Sequence, residues 1–385
     1  LIPIIVAAVF LCLALASPPA EAQSLRKVKL TKPVVALTMS PLYIAQSKGF
    51  FAEEGLDVEM TSTGGGGPDI RALIAGEADF TFTTGDNVML AYQEGKPLLM
   101  VMSALNKVFI NWAIHKESAK AKGITESTPF GEKVKALKGL TVGVTNPAAL
   151  TAHLAAFVIR KAGYVPQEDV KIIPVGAGPT WLAALENRKV DLALTAPPVP
   201  ETAIQRGFAM MFINNAKGED PSISEFLMEN LVARPETIKK DPDLVRRMVR
   251  ALVKANKWAL SSSPEQVTDA LKPALGKTDP KILLEGVRSL MPTLSPDGRT
   301  TERSVQTTQE ILDVAGLLKK AGGLLRHRHQ RVSAQMIGRG RLYLYRLLFG
   351  LFLLVSWELS SGRFIDPFWI SSPSRVALYL WEVTS

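Results

Sequence analysis

Two stretches of this chain carry residues able to grip a polar group without any catalytic side chain. Gly64, Gly65, Gly66 and Gly67 precede Pro68, and a short helical pattern then leads to Thr83 and Thr84. The arrangement recurs 111 residues later, where Gly176 and Gly178 precede Pro179 and the chain runs on to Thr195. Glycine lets backbone amides approach a ligand closely, and proline suits the first helical turn because its missing N–H would be unpaired there anyway. Each stretch thus offers free amides at a helix start and hydroxyls at the end of the following strand, a combination that favours an anionic or strongly polar group. Thr145 and Asn146, after a buried apolar run, add a third donor-bearing strand end. Each of these residues also has an ordinary reading as a turn or cap. Trp181, on the repeated helix, reads as core, and Arg71 and Lys107 read as solvated surface cations.

The elements that must position these residues follow from periodicity. Residues 28–39 read as a β-rich first strand ending at Ser40-Pro41, followed by a short amphipathic helix over residues 42–51 and a second strand over 56–60. A helix is predicted over 87–93, a buried strand over 98–104 and an alternating strand over 109–115. The second half opens with a buried strand at 140–145, a helix over 149–162 stopped by Gly163, the repeated unit over 170–195 and a strand over 210–214. From Pro235 to Lys320 the signals are helical, with Asp241-Pro242, Ser263-Pro264 and Asp279-Pro280 as helix starts. Strand–helix–strand order in two halves, then a helical tail packing back on the first, predicts parallel-rich α/β sheets with ligand binding at the carboxyl ends of strands.

Composition narrows the class. The chain has 385 residues, 47% hydrophobic and 21% charged, as in an ordinary globular protein of two or three domains. Its net charge of +9 is uneven: residues 323–385 hold eight arginines against three acids and residues 1–22 hold only Glu21, which leaves +5 for the 300 residues between. With no arginine stripe interleaved with aromatics, nucleic acid is not an expected partner. Residues 1–22 read as a secretory signal, with an apolar run to Ala16 and Ala20-Glu21-Ala22 as cleavage pattern. No start Met or basic region precedes that run, so the expectation is that the sequence begins inside the signal. The single cysteine, Cys12, lies within it. Beyond a basic linker at 323–341, residues 342–385 contain an apolar segment, Leu342 to Leu359, read as one transmembrane helix with Tyr343, Tyr345 and Trp357 as interfacial aromatics. The positive-inside rule would place the linker in the cytoplasm and a cleaved signal would place it in the periplasm, a conflict that points to two joined reading frames.

Ser40-Pro41-Leu42-Tyr43-Ile44-Ala45, with Lys48 to Glu59 after it, resembles the first loop and helix of the nitrate/sulfonate/taurine family of ABC-transporter solute-binding proteins. Gly139 to Val144, Ala162-Gly163-Tyr164 and Asp191 to Pro197 are similar to the opening of that family's second lobe, so the resemblance covers roughly residues 27–322. It implies an α/β, two-lobe periplasmic-binding-protein fold of type II, each lobe a mainly parallel sheet flanked by helices, with the ligand cleft between lobes. In that frame residues 23–108 begin lobe 1, 109–212 form lobe 2, and 213–322 return to lobe 1 with hinges near 105–112 and 205–216. The implied role is capture of a small anionic or polar solute, sulfonate-, nitrate- or taurine-like, by a periplasmic monomer that delivers it to an ABC permease and its ATPase subunit. Ser40, Pro41 and Tyr43 join the candidate contacts, with Ser40 equally readable as a helix cap. Asn146-Pro147-Ala148-Ala149 departs from the family's hydroxyl-rich loop, so the first lobe is expected to hold the polar head and the second to cover the remainder. Residues 357–374 resemble the start of the matching permease subunit, which leaves a true membrane-tethered fusion as the alternative to joined frames.

No catalytic residue, cofactor or metal is expected. His115 and His153 lack partners at metal-ligand spacing, and His327 and His329 belong to the basic linker. The enzyme alternative is a thiamine-pyrimidine synthase, which shares the fold and is similar over the first lobe. That family carries a cysteine-rich motif, and Cys12 is the only cysteine here.

Overall fold

The computed structural model describes residues 25–319, and the signal, linker and permease-like segments read from the sequence lie outside them. Ten strands follow one another as β1 Arg26–Lys32, β2 Leu56–Ser62, β3 Phe80–Thr83, β4 Leu99–Leu105, β5 Asn111–His115, β6 Thr141–Val144, β7 Lys171–Pro174, β8 Leu192–Thr195, β9 Ala209–Ile213 and β10 Glu229–Ala233. They form two five-stranded sheets, ordered β2-β1-β3-β10-β4 and β7-β6-β8-β5-β9. In the first sheet β1 pairs parallel with β2 and β3, and β10 lies antiparallel between β3 and β4. In the second, β6 pairs parallel with β7 and β8, and β5 lies antiparallel between β8 and β9. Each sheet is therefore parallel apart from one reversed strand in the fourth place. That strand is in each case the first one after the chain has crossed from the other sheet.

Local chemistry sets the element boundaries. The first strand is shorter than its apolar pattern suggests, because Pro33 supplies no N–H to a ladder. Residues 33–36 leave the sheet, and a single 3₁₀ turn, Leu37–Met39, precedes the helix Ser40–Ser47. The two crossings run side by side: the Asn215 amide donates to the Ile110 carbonyl at 2.8 Å, and the Phe226 and Met228 amides donate to the Asn106 and Leu105 carbonyls at 2.9 and 3.1 Å. Trp181 is fully buried, and its indole N–H donates to the Leu194 carbonyl at 3.1 Å, as a core residue with a polar edge requires.

The tail helices start on built caps. Asp241 accepts from the Leu244 amide, Ser263 and Gln266 form a reciprocal capping box, and Asp279 accepts from the Lys281 and Ile282 amides. The helices Pro242–Ser261 and Pro264–Leu275 pack on the helix Ser40–Ser47, against the first sheet. Asn256, fully buried on the longer of them, donates to the Ala104 carbonyl at 2.9 Å and the Ser295 carbonyl at 2.8 Å. Among the described residues no helix is long and apolar enough to cross a membrane.

Asn256 thus ties the tail to the end of β4, and its loss would take a bond from two carbonyls, of which Ala104 keeps the Ser295 amide at 2.8 Å. Asn256→Ala is expected to destabilise the chain by roughly 1–3 kcal/mol, read as an earlier midpoint in urea unfolding.

Candidate functional site

The carboxyl ends of β3, β6 and β8 face one cavity of about 50 Å³, room for a few water-sized groups. Its walls come from both sheets. The first contributes Gly65 and Gly66, Thr83, Thr84 and Asn87, and Glu229 at the start of β10, while the second contributes Thr145, Ala149 to Thr151, Thr195 and Ala196. Pro33, Val34 and Thr38 close it from the segment where β1 breaks off. Three helices point their N-termini here: Gly66–Ala75, Gly85–Gln93 capped by Thr84, and Leu150–Lys161 capped by Ala149. Their free amides make the walls locally electropositive.

The floor has the opposite character. Glu229 is 2% exposed, and among the described residues neither its Oε2 nor the Thr83 hydroxyl, also on the cavity wall, has a hydrogen-bond partner. A register shift between Glu229 and Asn230 in the pairing of β10 with β4 gives this strand end its own orientation. Burial drives the Glu229 carboxyl well above the usual range; the Thr38 side chain offsets part of this, and the charges of Asp69 and Asp86 push it further up. Asp69, fully buried behind the glycine loop, is pushed up to about 8 by burial, against the Thr63 hydroxyl and the Lys32 ammonium. Thr63 donates to Asp69 at 2.7 Å. Lys32 is held below its usual value by burial, with Asp69 working the other way, and its Nζ lies 5.4 Å from the centre of the Tyr43 ring. Among the described residues no three His, Cys, Asp or Glu side chains gather as a metal site.

The residues predicted from sequence separate into three groups. Gly65, Gly66, Thr83, Thr84, Thr145 and Thr195 line the cavity. Gly64, Gly67 and Asn146 instead form a seam between the two halves: the Asn146 amide donates to the Gly64 carbonyl at 3.3 Å, and Gly67 abuts Ala148. The others stand behind the walls. Ser40 is buried and donates to the Leu37 carbonyl at 2.5 Å, and Met39, not Ser40, occupies the cap position. Pro41 and Tyr43 are buried in the same helix, and burial pushes the Tyr43 phenol up. The Gly176 amide donates to the Thr145 carbonyl at 3.2 Å, and Gly178 stands outside the cavity, so the second glycine loop supports the Thr145 loop. The sequence reading passed over Thr38, Asn87, Thr151 and Glu229. Of these, Glu229 had a signal: an acid at the head of the short β-compatible run Asn230-Leu231-Val232-Ala233.

Residues 37–266 match the family model described as NMT1/THI5 like. Among curated relatives, YtlA of Bacillus subtilis, named as a binding protein, is 24% identical over 318 residues, 82% of this chain and 91% of the relative. The riboflavin-binding protein RibY of Chloroflexus aurantiacus is 28% identical over 265 residues, 65% of this chain and 67% of RibY. A 4-amino-5-hydroxymethyl-2-methylpyrimidine phosphate synthase of Aspergillus parasiticus is 31% identical, but over 104 residues, 27% of this chain and 28% of the enzyme. Two solved structures share the fold. The alkanesulfonate-binding protein SsuA of Xanthomonas axonopodis, bound to MOPS, has a TM-score of 0.61 at 15% identity, covering 79% of this chain and 96% of SsuA. The periplasmic nitrate-binding protein NrtA of Synechocystis has 0.57 at 18%, covering 69% and 70%.

Two glycines are required by the seam and the wall. A Cβ on Gly65 would lie 1.9 Å from the Asn146 amide nitrogen, at a φ of +155° open mainly to glycine, and one on Gly66 would lie 2.2 Å from that of Asn87. Gly65→Ala is expected to push the Asn146 side chain off the Gly64 carbonyl and loosen the seam, read as a larger radius of gyration in solution scattering. Removing the obstructing amide in Gly65→Ala/Asn146→Ala should recover part of the compaction. Gly131→Ala, at an exposed glycine of ordinary φ where a Cβ meets nothing within 4 Å, should leave the radius unchanged.

Proposed function

The chain belongs to the NMT1/THI5-like family, and on that premise we propose that it is the periplasmic solute-binding component of an ABC importer, with no covalent chemistry of its own. Its fold is that of the periplasmic binding proteins SsuA and NrtA, whose small ligands occupy proteins of this kind. In this reading the two sheets are the cores of two lobes, the paired crossings at residues 106–110 and 214–228 are the hinge, and the cavity is the ligand cleft. The match to the pyrimidine synthase spans about a quarter of the chain, whereas YtlA, named as a binding protein, matches over most of it.

One observation carries the choice of ligand: Glu229, whose buried Oε2 is unpartnered among the described residues, lines the same cavity as three helix N-termini. A bare anion such as nitrate satisfies the helix ends and can accept from a neutral carboxyl, but it brings no N–H donor to Oε2. A small solute with N–H donors at one end and an acceptor or anionic group at the other satisfies both. Taurine, with an ammonium and a sulfonate, and an aminopyrimidine, with an exocyclic amine and ring nitrogens, are the two chemistries of that form. Leaving a buried acceptor unpaired costs roughly 1–3 kcal/mol, so a donor placed on Oε2 is a selective contact.

Thermal shift of the purified chain with nitrate, methanesulfonate, taurine and 4-amino-5-hydroxymethyl-2-methylpyrimidine tests this reading. Stabilisation by taurine or the pyrimidine is expected, and Glu229→Gln should weaken that binding by tenfold or more, about 1.4 kcal/mol. Stabilisation by nitrate alone would sink it.

The burial of Asp69 also sets a pH signature of the folded chain. Asp69 is raised in the folded state, so the native form holds a proton that the unfolded chain has already released. Stability contributed by this group is full at low pH and declines as pH rises from the ordinary aspartate range, about 4, towards about 8. Urea unfolding at several pH values should show this decline in the wild type, and Asp69→Asn should make it shallower, the remainder coming from Glu229, which burial also raises.

A further inference from the structure

The geometry points to an interlobe latch: His153 and Asp86, one on each side of the cleft, form a buried pair that fixes how the lobes close. The Nδ1 of His153, in the helix Leu150–Lys161 beside the second sheet, lies 2.5 Å from Oδ2 of Asp86, in the first turn of the helix Gly85–Gln93 beside the first sheet. The two residues are 3% and 0% exposed. Thr84 and Asn87 flank Asp86, and Leu150 and Thr151 precede His153; all four line the cavity, so the pair forms at the cleft itself.

A half-exposed ion pair, Lys161 with Glu310 at 3.6 Å, also joins the two halves, and two contacts beside the cavity differ in kind from the buried pair. The Leu37 amide donates to the Pro197 carbonyl at 3.1 Å, and the Asn146 amide donates to the Gly64 carbonyl. Those are neutral groups that exchange one hydrogen bond for another with water when the lobes part. An aspartate carboxylate is different, because burying it without a partner is heavily penalised. Among the described residues Asp86 Oδ1 has no hydrogen-bond partner, and the imidazole of His153 is the one side chain bonded to Oδ2. Closing the cleft dehydrates Asp86 whether or not the imidazole arrives in register. A closure that misses His153 leaves the charge bare and is rejected; one that meets it is accepted. The pair therefore selects one closed geometry more than it adds strength to it, and this holds whichever solute the cleft takes.

Distance measurement between spin labels on cysteines replacing Glu59 and Lys171, both exposed and on different sheets, reads the latch in the full chain with Cys12→Ser. Without added solute, the intact pair is expected to show a population at the closed distance. Asp86→Asn and His153→Leu should each lower the closed-to-open ratio, by up to on the order of a hundredfold, since one partner is stranded in each. Asp86→Leu/His153→Leu should recover most of that loss, because two apolar groups can be buried together without penalty. A distribution unchanged by the single substitutions overturns the latch, as does a double variant at least as open as the worse single one. A general loss of folding would instead appear as an early thermal midpoint in every variant, with no recovery in the double one, and would equally overturn it.

Discussion

The arrangement depends on one topological constraint: neither sheet can be completed until the chain has crossed to the other and come back. β10 occupies the slot between β3 and β4, and 123 residues of chain separate it from β4, its nearer neighbour in sequence. Because it enters from the crossing, β10 runs against the strands on either side, and its first residue stands at their carboxyl ends. In a parallel sheet those ends are where helices begin and where ligands bind. The reversed strand therefore delivers a side chain, Glu229, into a place that parallel strands furnish mainly with loop backbone and hydroxyls. β5 occupies the same slot in the second sheet, and there Asn111, its first residue, donates to Glu201 and accepts from the Ala216 amide beside the crossings. The same topological position thus supplies a cavity-lining acid in one half and a crossing clamp in the other.

The electrostatics of the cleft follow from this placement. Helix N-termini alone would make a site for anions, and glycine loops before two such helices carry that implication. Inserting Glu229 close enough to Asp86 and Asp69 for their charges to act on it turns the floor acidic while the walls stay electropositive. A carboxyl in that position is favoured as the neutral acid until a donor or cation reaches it, so ligand charge and protein protonation are linked. His153 brings the compensating imidazole from the other half, which makes the polarity of the closed cleft a joint property of both sheets.

Much of this was legible from the residues. The alternation of strands and helices, the glycine-stopped helices and the Asp-Pro and Ser-Pro caps are local signals, and local signals survive folding unchanged. The threonines at strand ends were legible too, because a strand of known direction places its last residue. What escaped was non-local. The run Glu229–Ala233 is β-compatible but short, and its place between β3 and β4, which puts its first residue at the cavity, is set only by the fold. The apolar pattern of residues 28–39 overran Pro33, and the residues freed by that break, Val34 and Thr38, became cavity wall. Ser40 and Tyr43 were placed at the site by resemblance, yet the 3₁₀ turn ahead of them rotates the chain so that the turn faces the cavity and the helix faces the core.

The twin glycine units show how far a sequence repeat determines use. Both follow strands at the edge of their sheets, β2 and β7, so their local environments begin alike. In the first, Gly65 meets Asn146 of the opposite half so closely that any side chain would collide with it. In the second, Gly176 folds back against Thr180 of its own helix and bonds the Thr145 carbonyl. One loop is a contact surface and the other a brace for its neighbour. The difference lies in what each loop meets across the cleft: Asn146 and Ala148 reach over to the first loop, while the second has only its own half to lean on. A repeat fixes the conformations available to the backbone, and the partner decides which of them becomes a site.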